Sequence, residues 1–419
     1  MTSESSLSIP RRWFGSVADA WDSFWFTPAL PNTLGVLRIL TGAMLLYGHL
    51  VLASQLANFL GDSAWINNDT ARQLQDGAYG PATWSRTYLW HISSSALLWG
   101  HQIPTIAITG AFMIGFLTRI TGPAAWFLQL MYVHRLIGAT FGFDQIVTYT
   151  TMYLMFSPCG SVYSVDAWLR NKFADKRANS RLLQWLLPDA APSVSANIAT
   201  RLLQLHLCVI YLFGGLAKAR GASWWGGSAV WYSVANYEYQ SMNMTWLGSY
   251  PKVFSAMSHL TMFWEIFYCA LVWPKLTRPM ILAIAVAVHG GIAMFLGMAT
   301  FGLMMLAANM VFIDPAWMRR LLDRKQDIDK KQKLVDGAST SAKTSKELAA
   351  KEAKLRRVSK RLKAKSERLK ERHQKIRERE DRYRKRAKKL KSRETKVKAF
   401  IDKRRKAKPD KSNDSQDES

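Results

Sequence analysis

The sequence predicts an all-α protein: a polytopic bundle of about eight transmembrane helices followed by a long basic helix with coiled-coil character. Three observations predict it. Apolar windows of membrane length recur through the first 320 of 419 residues, and basic residues gather in alternate connections between them. In the last quarter an apolar position returns every seventh residue. The charge divides the same way. Residues 1–320 carry 20 Lys+Arg and 13 Asp+Glu, whereas the last 99 carry 37 and 17, so most of the net +27 lies in the tail. Neither part has the balance of an ordinary soluble domain.

Residues 1–30 read as a cytoplasmic N-terminal segment. They contain Arg11 and Arg12 but no compact apolar stretch ending in small residues. A cleavable signal peptide is therefore not expected, and the first span serves as the insertion signal. A hydrocarbon core takes roughly 17–25 mostly apolar residues per helix. Residues 31–315 offer windows at 34–53, 103–121, 122–138, 143–158, 198–218, 256–273, 278–297 and 298–313. The fourth and eighth are short, and the last two nearly abut.

Positive charge gives the orientation. Arg11 and Arg12, the segment 159–197 with Arg170, Lys172, Lys176, Arg177 and Arg181, and the turn at Lys275–Arg278 fall on one side of an eight-span bundle. The basic tail joins them. The segments 54–102 and 219–255, poorer in basic residues, fall opposite. By the positive-inside rule this is a multi-pass protein of the cell membrane with both termini cytoplasmic. His134 and Arg135 run against the trend.

Residues 316–340 read as a linker and 341–406 as the heptad-patterned helix. Leu348, Leu355, Leu362, Leu369, Ile376, Tyr383, Leu390 and Val397 form half of a coiled-coil seam. The complementary positions are mostly polar, so self-association through this stripe should be weak. Its Lys and Arg suit an anionic lipid surface or nucleic acid; a solvated spacer is the plainer reading. Residues 407–419 are polar, end acidic, and are expected to be disordered.

Polar groups inside apolar spans are costly and usually face the bundle interior. Here they are Arg38, His49, His134, Arg135, Asp144, His206, Lys218, His259, Glu265 and His289. Each has a plain reading: Arg38 could snorkel to the headgroups, Asp144 could pair with Arg135, and His206 and His289 could be core histidines. Glu265, in FWEIFYCALVW, is harder to dismiss, because a mid-span carboxylate must be protonated or paired. Lys218 and the histidines are its obvious partners. Cys159, Cys208 and Cys269 fit neither a metal site nor a disulfide framework. No phosphate-cradling glycine loop or serine nucleophile elbow is present, and Gly214–Gly215 and Gly226–Gly227 read as close helix contacts or turns.

Across roughly residues 30–315 the chain resembles the HTTM family, bacterial relatives of vitamin K-dependent gamma-carboxylase. The resemblance runs in order through GVLRILTGAMLL, GFLTRITGP, VHRLIGATFGFDQIV, LMFSPCGSVYSVDAW and LCVIYLFGGLAKARGASWWGG. It continues through the Glu265 segment and VHGGIAMFLGMATFGLMMLAANMVFI. It implies a membrane enzyme using reduced vitamin K or menaquinol, with no metal and an unknown acceptor. Lys218 matches the second of two lysines in the family's YLFGGLAKA-like stretch, the proposed active-site base; Ala217 stands in place of the first. A neutral Lys218 amine would take a proton from the quinol, a role favoured by a dry apolar pocket. Dioxygen chemistry on the cofactor would then supply the strong base that removes a proton from the acceptor.

Glu265, His289 and Asp144 join Lys218 as the catalytic candidates on this reading. Arg38, His134, Arg135, His206, Trp224 and Trp225 are the candidates for cofactor binding. Two departures stand out. The carboxylase histidine falls near Phe143–Asp144, where there is none, and a basic helix takes the place of the large extracytoplasmic substrate-binding domain. The alternative is a non-catalytic membrane module for lipid or quinone, its tail engaging partners.

Overall fold

The computed structural model describes residues 9–79 and 86–322, together with Ser359, Lys363 and Glu367, which are helical and exposed. The heptad positions Leu348–Val397 and the segment 407–419 lie outside the described residues. Among the described residues nine bundle helices run in order: α1 (Ile9–Phe26), α2 (Asn32–Ser54), α3 (Ser95–Ile114), α4 (Thr118–Arg135) and α5 (Gly142–Met155), then α6 (Val194–Ala219), α7 (Pro251–Leu271), α8 (Arg278–Phe295) and α9 (Ala299–Asn309). Further helices occupy the connections, including Asn68–Tyr79, Val165–Lys172 and Arg181–Leu186. Among the described residues the only β pairing is an isolated bridge between Ala29 and Ser193.

Among the described residues four helices, α2, α3, α6 and α8, are long and apolar enough to cross a membrane. Ala299–Phe312 and Pro315–Leu322, bent by 109°, make a fifth if counted as one broken span. The remaining helices fall short of that test by length or composition.

Successive long helices pack antiparallel, and missing Cβ atoms set how closely they approach. A Cβ on Gly42 would lie 2.6 Å from the Met113 backbone, joining α2 to α3. One on Gly215 would lie 2.7 Å from the Ile266 nitrogen, joining α6 to α7. One on Gly302 would lie 2.5 Å from the His289 carbonyl, joining α8 to α9. The expectation that Gly214–Gly215 is a helix contact agrees with this packing, and Gly227, at φ +74°, makes a turn.

One boundary differs from the sequence reading, which divided the second and third windows at 121/122, just before Pro123. The break falls at Gly115–Leu117, and Pro123 is carried inside α4. Gly115 adopts φ 75°, and Phe116 N–H closes on the Ala111 carbonyl, a left-handed helix ending that favours glycine. Asp166 then accepts from Leu117 N at 2.7 Å, Thr118 N at 2.9 Å and Thr118 Oγ1 at 2.7 Å, starting α4 from across the chain.

The antiparallel order gives the bundle two ends. One holds the start of α2, the α3–α4 and α7–α8 junctions and the start of α6; we call it the Arg38 end. The other, the Lys218 end, holds the last turn of α6, the start of α7 and the α4–α5 and α8–α9 junctions. Between them lies a core containing Leu37, Phe112, Val147, Leu207, Tyr211, Trp264 and Tyr268.

Candidate active site

The α6–α7 contact places the two charged groups that stand out in the sequence beside each other. Gly214 and Gly215 sit one turn before Lys218, so α7 can approach at the level of Glu265. The result is a Lys218 Nζ–Glu265 Oε2 distance of 2.7 Å. The carboxylate side chain is 10% exposed and the amine 27%, so the pair is open on the lysine side only. Trp224 lies over the amine, its ring centroid 5.4 Å from Nζ.

Beneath the pair runs a buried hydrogen-bonded chain across four helices. His289 Nε2 on α8 is 2.7 Å from the Tyr211 hydroxyl on α6. Asn309 Nδ2 on α9 donates to that hydroxyl at 2.7 Å, and the Tyr268 hydroxyl on α7 donates to Asn309 Oδ1 at 2.7 Å. His289 Nδ1 is buried and has no hydrogen-bond partner. Trp264 and Phe301 enclose this imidazole with ring-centroid distances of 6.1 Å each.

Of the residues singled out from sequence, Lys218, Glu265 and Trp224 therefore meet, and His289 is bonded to Tyr211 on the same helix as Lys218. The others do not join them. Arg38 is fully buried near the opposite end, where Nη1 donates to the Cys159 carbonyl at 3.0 Å and Nη2 to the Tyr163 carbonyl at 2.6 Å. Its guanidinium clamps a loop instead of snorkelling, because those carbonyls supply inside the protein what headgroups would supply outside. Asp144 and Arg135 do not pair. Asp144 Oδ2 caps its own helix by accepting from Phe141 N at 3.0 Å, while Arg135 donates to Asn68 Oδ1 and the Ile66 carbonyl, both at 2.9 Å. His206 bonds the Tyr153 hydroxyl at 2.8 Å, and His134 is half-buried with Nδ1 lacking a partner. Trp225 turns from the pair, its indole donating to the Ala219 carbonyl at 2.7 Å.

Sequence reasoning missed Tyr211, Tyr268 and Asn309. Tyr211 lies two turns before Lys218 and Tyr268 one turn after Glu265, so helical spacing was the available signal. A second polar cluster was missed as a cluster. His49, Gln129, Tyr132 and Asp144 line a cavity of about 90 Å³ between α2, α4 and α5. His49 is 3% exposed, and neither ring nitrogen makes a well-formed hydrogen bond, although the Gln129 side chain lies beside the ring. From Tyr132, contacts lead through His101 (2.9 Å) to the Tyr88 hydroxyl (2.5 Å). Among the described residues no group of three His, Cys, Asp or Glu side chains could hold a metal ion.

No family model matches the chain, and no curated protein or solved structure was found to match it.

Proposed function

We propose that the chain is an eight-span membrane protein resembling the core of vitamin K-dependent gamma-carboxylase, with the Lys218–Glu265 pair as its acid–base centre. The observation that carries the proposal is the 2.7 Å amine–carboxylate contact held inside an apolar bundle and open to one side. The donor set suits a hydroquinone such as reduced vitamin K or menaquinol. An amine, a carboxylate and the orphaned His289 nitrogen offer hydrogen-bonding groups, and Trp224 offers an aromatic face. When bound, the hydroquinone supplies the reducing equivalents for dioxygen chemistry.

The residues of the chain supply proton handling and position. A charged pair and a neutral amine beside a carboxylic acid contain the same number of protons. The pair can therefore accept one more, ending as an ammonium beside a carboxylic acid. Tyr211, itself held by Asn309, positions His289. Burial against the α6 glycines keeps water from the carboxylate. In this arrangement Arg38, Arg135 and His206 support the fold, and Asp144 belongs to the second cluster.

The test is quinone epoxide formation by the full-length protein, given reduced vitamin K or menaquinol, dioxygen and bicarbonate. Epoxide should form and be lost in Lys218→Ala. A folded sample that yields none with either quinol would overturn the enzymatic reading. The same contact also supports a structural reading, in which an ion pair stabilises a lipid- or quinone-binding module; Lys218→Arg would then keep the protein's ligand binding and stability. In either case the tail is proposed to engage anionic lipid or nucleic acid, with weak coiled-coil self-association.

A further inference from the structure

We propose that α1 lies in the headgroup layer at the Arg38 end and, with the short helices beside it, forms an interfacial collar that selects anionic lipid headgroups. The inference rests on the membrane reading above but not on any catalytic role.

The first support is the two-faced character of α1. Trp13, Phe14, Val17 and Trp21 fall on one side of the helix, and Ser16, Asp19, Asp22 and Ser23 on the other. Residues 13–23 are all exposed, and only Phe24 and Trp25, near its C-terminal end, are half-buried. An apolar face carrying two tryptophans and a phenylalanine thus extends beyond the bundle without cover from the described chain.

The second support is where α1 is attached. Asn197 Nδ2, in the first turn of α6, donates to the carbonyls of Phe24 at 2.7 Å and Trp25 at 2.9 Å. The Arg201 guanidinium lies 4.4 Å from the Phe24 ring centroid, and Trp273, just beyond α7, packs on the same ring at 5.7 Å. The projecting helix is therefore fastened at the level where membrane-length helices begin and end. A two-faced helix at that depth meets acyl chains on one side and water on the other. Exposed Trp168, Trp185 and Trp317 stand at the same end, and tryptophan suits that boundary.

The third support is charge. Lys172 Nζ lies 4.7 Å from the Trp168 ring centroid, and Lys176 Nζ lies 5.8 Å from that of Phe173. Neither lysine has a carboxylate partner among the described residues, whereas Arg177 is paired with Asp189 at 2.9 Å. Ammonium groups seated beside interfacial aromatics complement lipid phosphates. At the other end, the exposed surface around Tyr232, Tyr237 and Tyr239 offers aromatics but no comparable pair of lysines. The selectivity should therefore be one-sided.

The experiment uses the full-length protein in bilayers of equal phosphatidylcholine and phosphatidylglycerol. Spin labels are placed by Val17→Cys or Asp19→Cys in a Cys269→Ser background, Cys159 and Cys208 being buried. The two positions are about 200° apart around the helix. The Val17 label should be accessible to oxygen and shielded from a water-soluble nickel complex; the Asp19 label should behave in the reverse way. For lipid choice, a photoreactive phenylalanine at Trp168 should crosslink phosphatidylglycerol about fivefold over phosphatidylcholine, falling toward parity in Lys172→Gln/Lys176→Gln.

Equal nickel access at Val17 and Asp19 would overturn the collar, and parity in the unsubstituted protein would overturn its anionic preference. Release of the protein from membranes by alkaline carbonate would sink the membrane reading itself. Retention with a water-exposed Val17 would sink only the collar.

Discussion

A carboxylate in the middle of an apolar helix must find a partner, and Glu265 finds Lys218. Breaking a buried pair leaves one charge uncompensated, which is costlier than removing both. Because Lys218 is 27% exposed, the loss is smaller than for a wholly buried pair. We expect Glu265→Gln and Lys218→Met each to lower stability by about 2 kcal/mol, and the double substitution to cost less than their sum. Thermal unfolding in detergent measures the cycle; strict additivity would mean that the two groups do not interact. Both charges were legible in the sequence because each interrupts an apolar run. Their meeting was not, because it depends on which helix faces pack. Arg38 shows the same limit: its cost in an apolar window was visible, but its acceptors, the carbonyls of Cys159 and Tyr163, lie more than 120 residues away. Tyr211, Tyr268 and Asn309 gave still less warning, since a tyrosine or asparagine within a span is ordinary until its partner is known.

At the scale of the helices, the pair depends on a backbone approach. A β-branched side chain at Gly215 would drive into Ile266 and separate α6 from α7. Gly215→Val should therefore destabilise the protein by about 2–3 kcal/mol. A disulfide engineered across this contact should form readily with Gly215 in place and poorly in the variant; equal rates would show that the approach does not need the glycine. Helix positions were largely readable from hydropathy: the windows 34–53 and 198–218 fall inside α2 and α6. The break between α3 and α4 falls at Gly115–Leu117 and not at the 121/122 division that the apolar windows set. Pro123 is carried at the sixth position of α4 at the loss of one helical hydrogen bond, whereas a glycine at positive φ followed by a crossed hydrogen bond ends a helix. Asp166 adds a cap that no local pattern announces, since it reaches α4 from 48 residues away.

For the whole molecule, the eight-span proposal requires an even number of crossings. Reporters fused at the two termini should both be cytoplasmic, while a tag inserted at Tyr237, an exposed position beyond α6, should be extracytoplasmic. Termini on opposite sides would show an odd count and invert the assignment of one end. The helical class and the apolar spans were legible because a bilayer imposes a minimum length on its helices. The His289–Tyr211–Asn309–Tyr268 chain was not, because it joins four helices whose mutual order only the folded bundle fixes.

The attachment of α1 also has a consequence in time. Phe24 is held by Asn197, a residue 173 positions later in the chain. At roughly 5–20 residues per second, a ribosome takes about 10–35 s to cover that distance. Throughout that interval the newborn amphipathic helix lacks the Asn197 and Arg201 contacts that fasten it. If the bilayer surface shelters it meanwhile, Trp21→Asp should leave the nascent protein exposed to proteases and chaperones before α6 is made. A pulse-chase would then show early degradation, although the contacts holding Phe24 in the finished fold are unchanged.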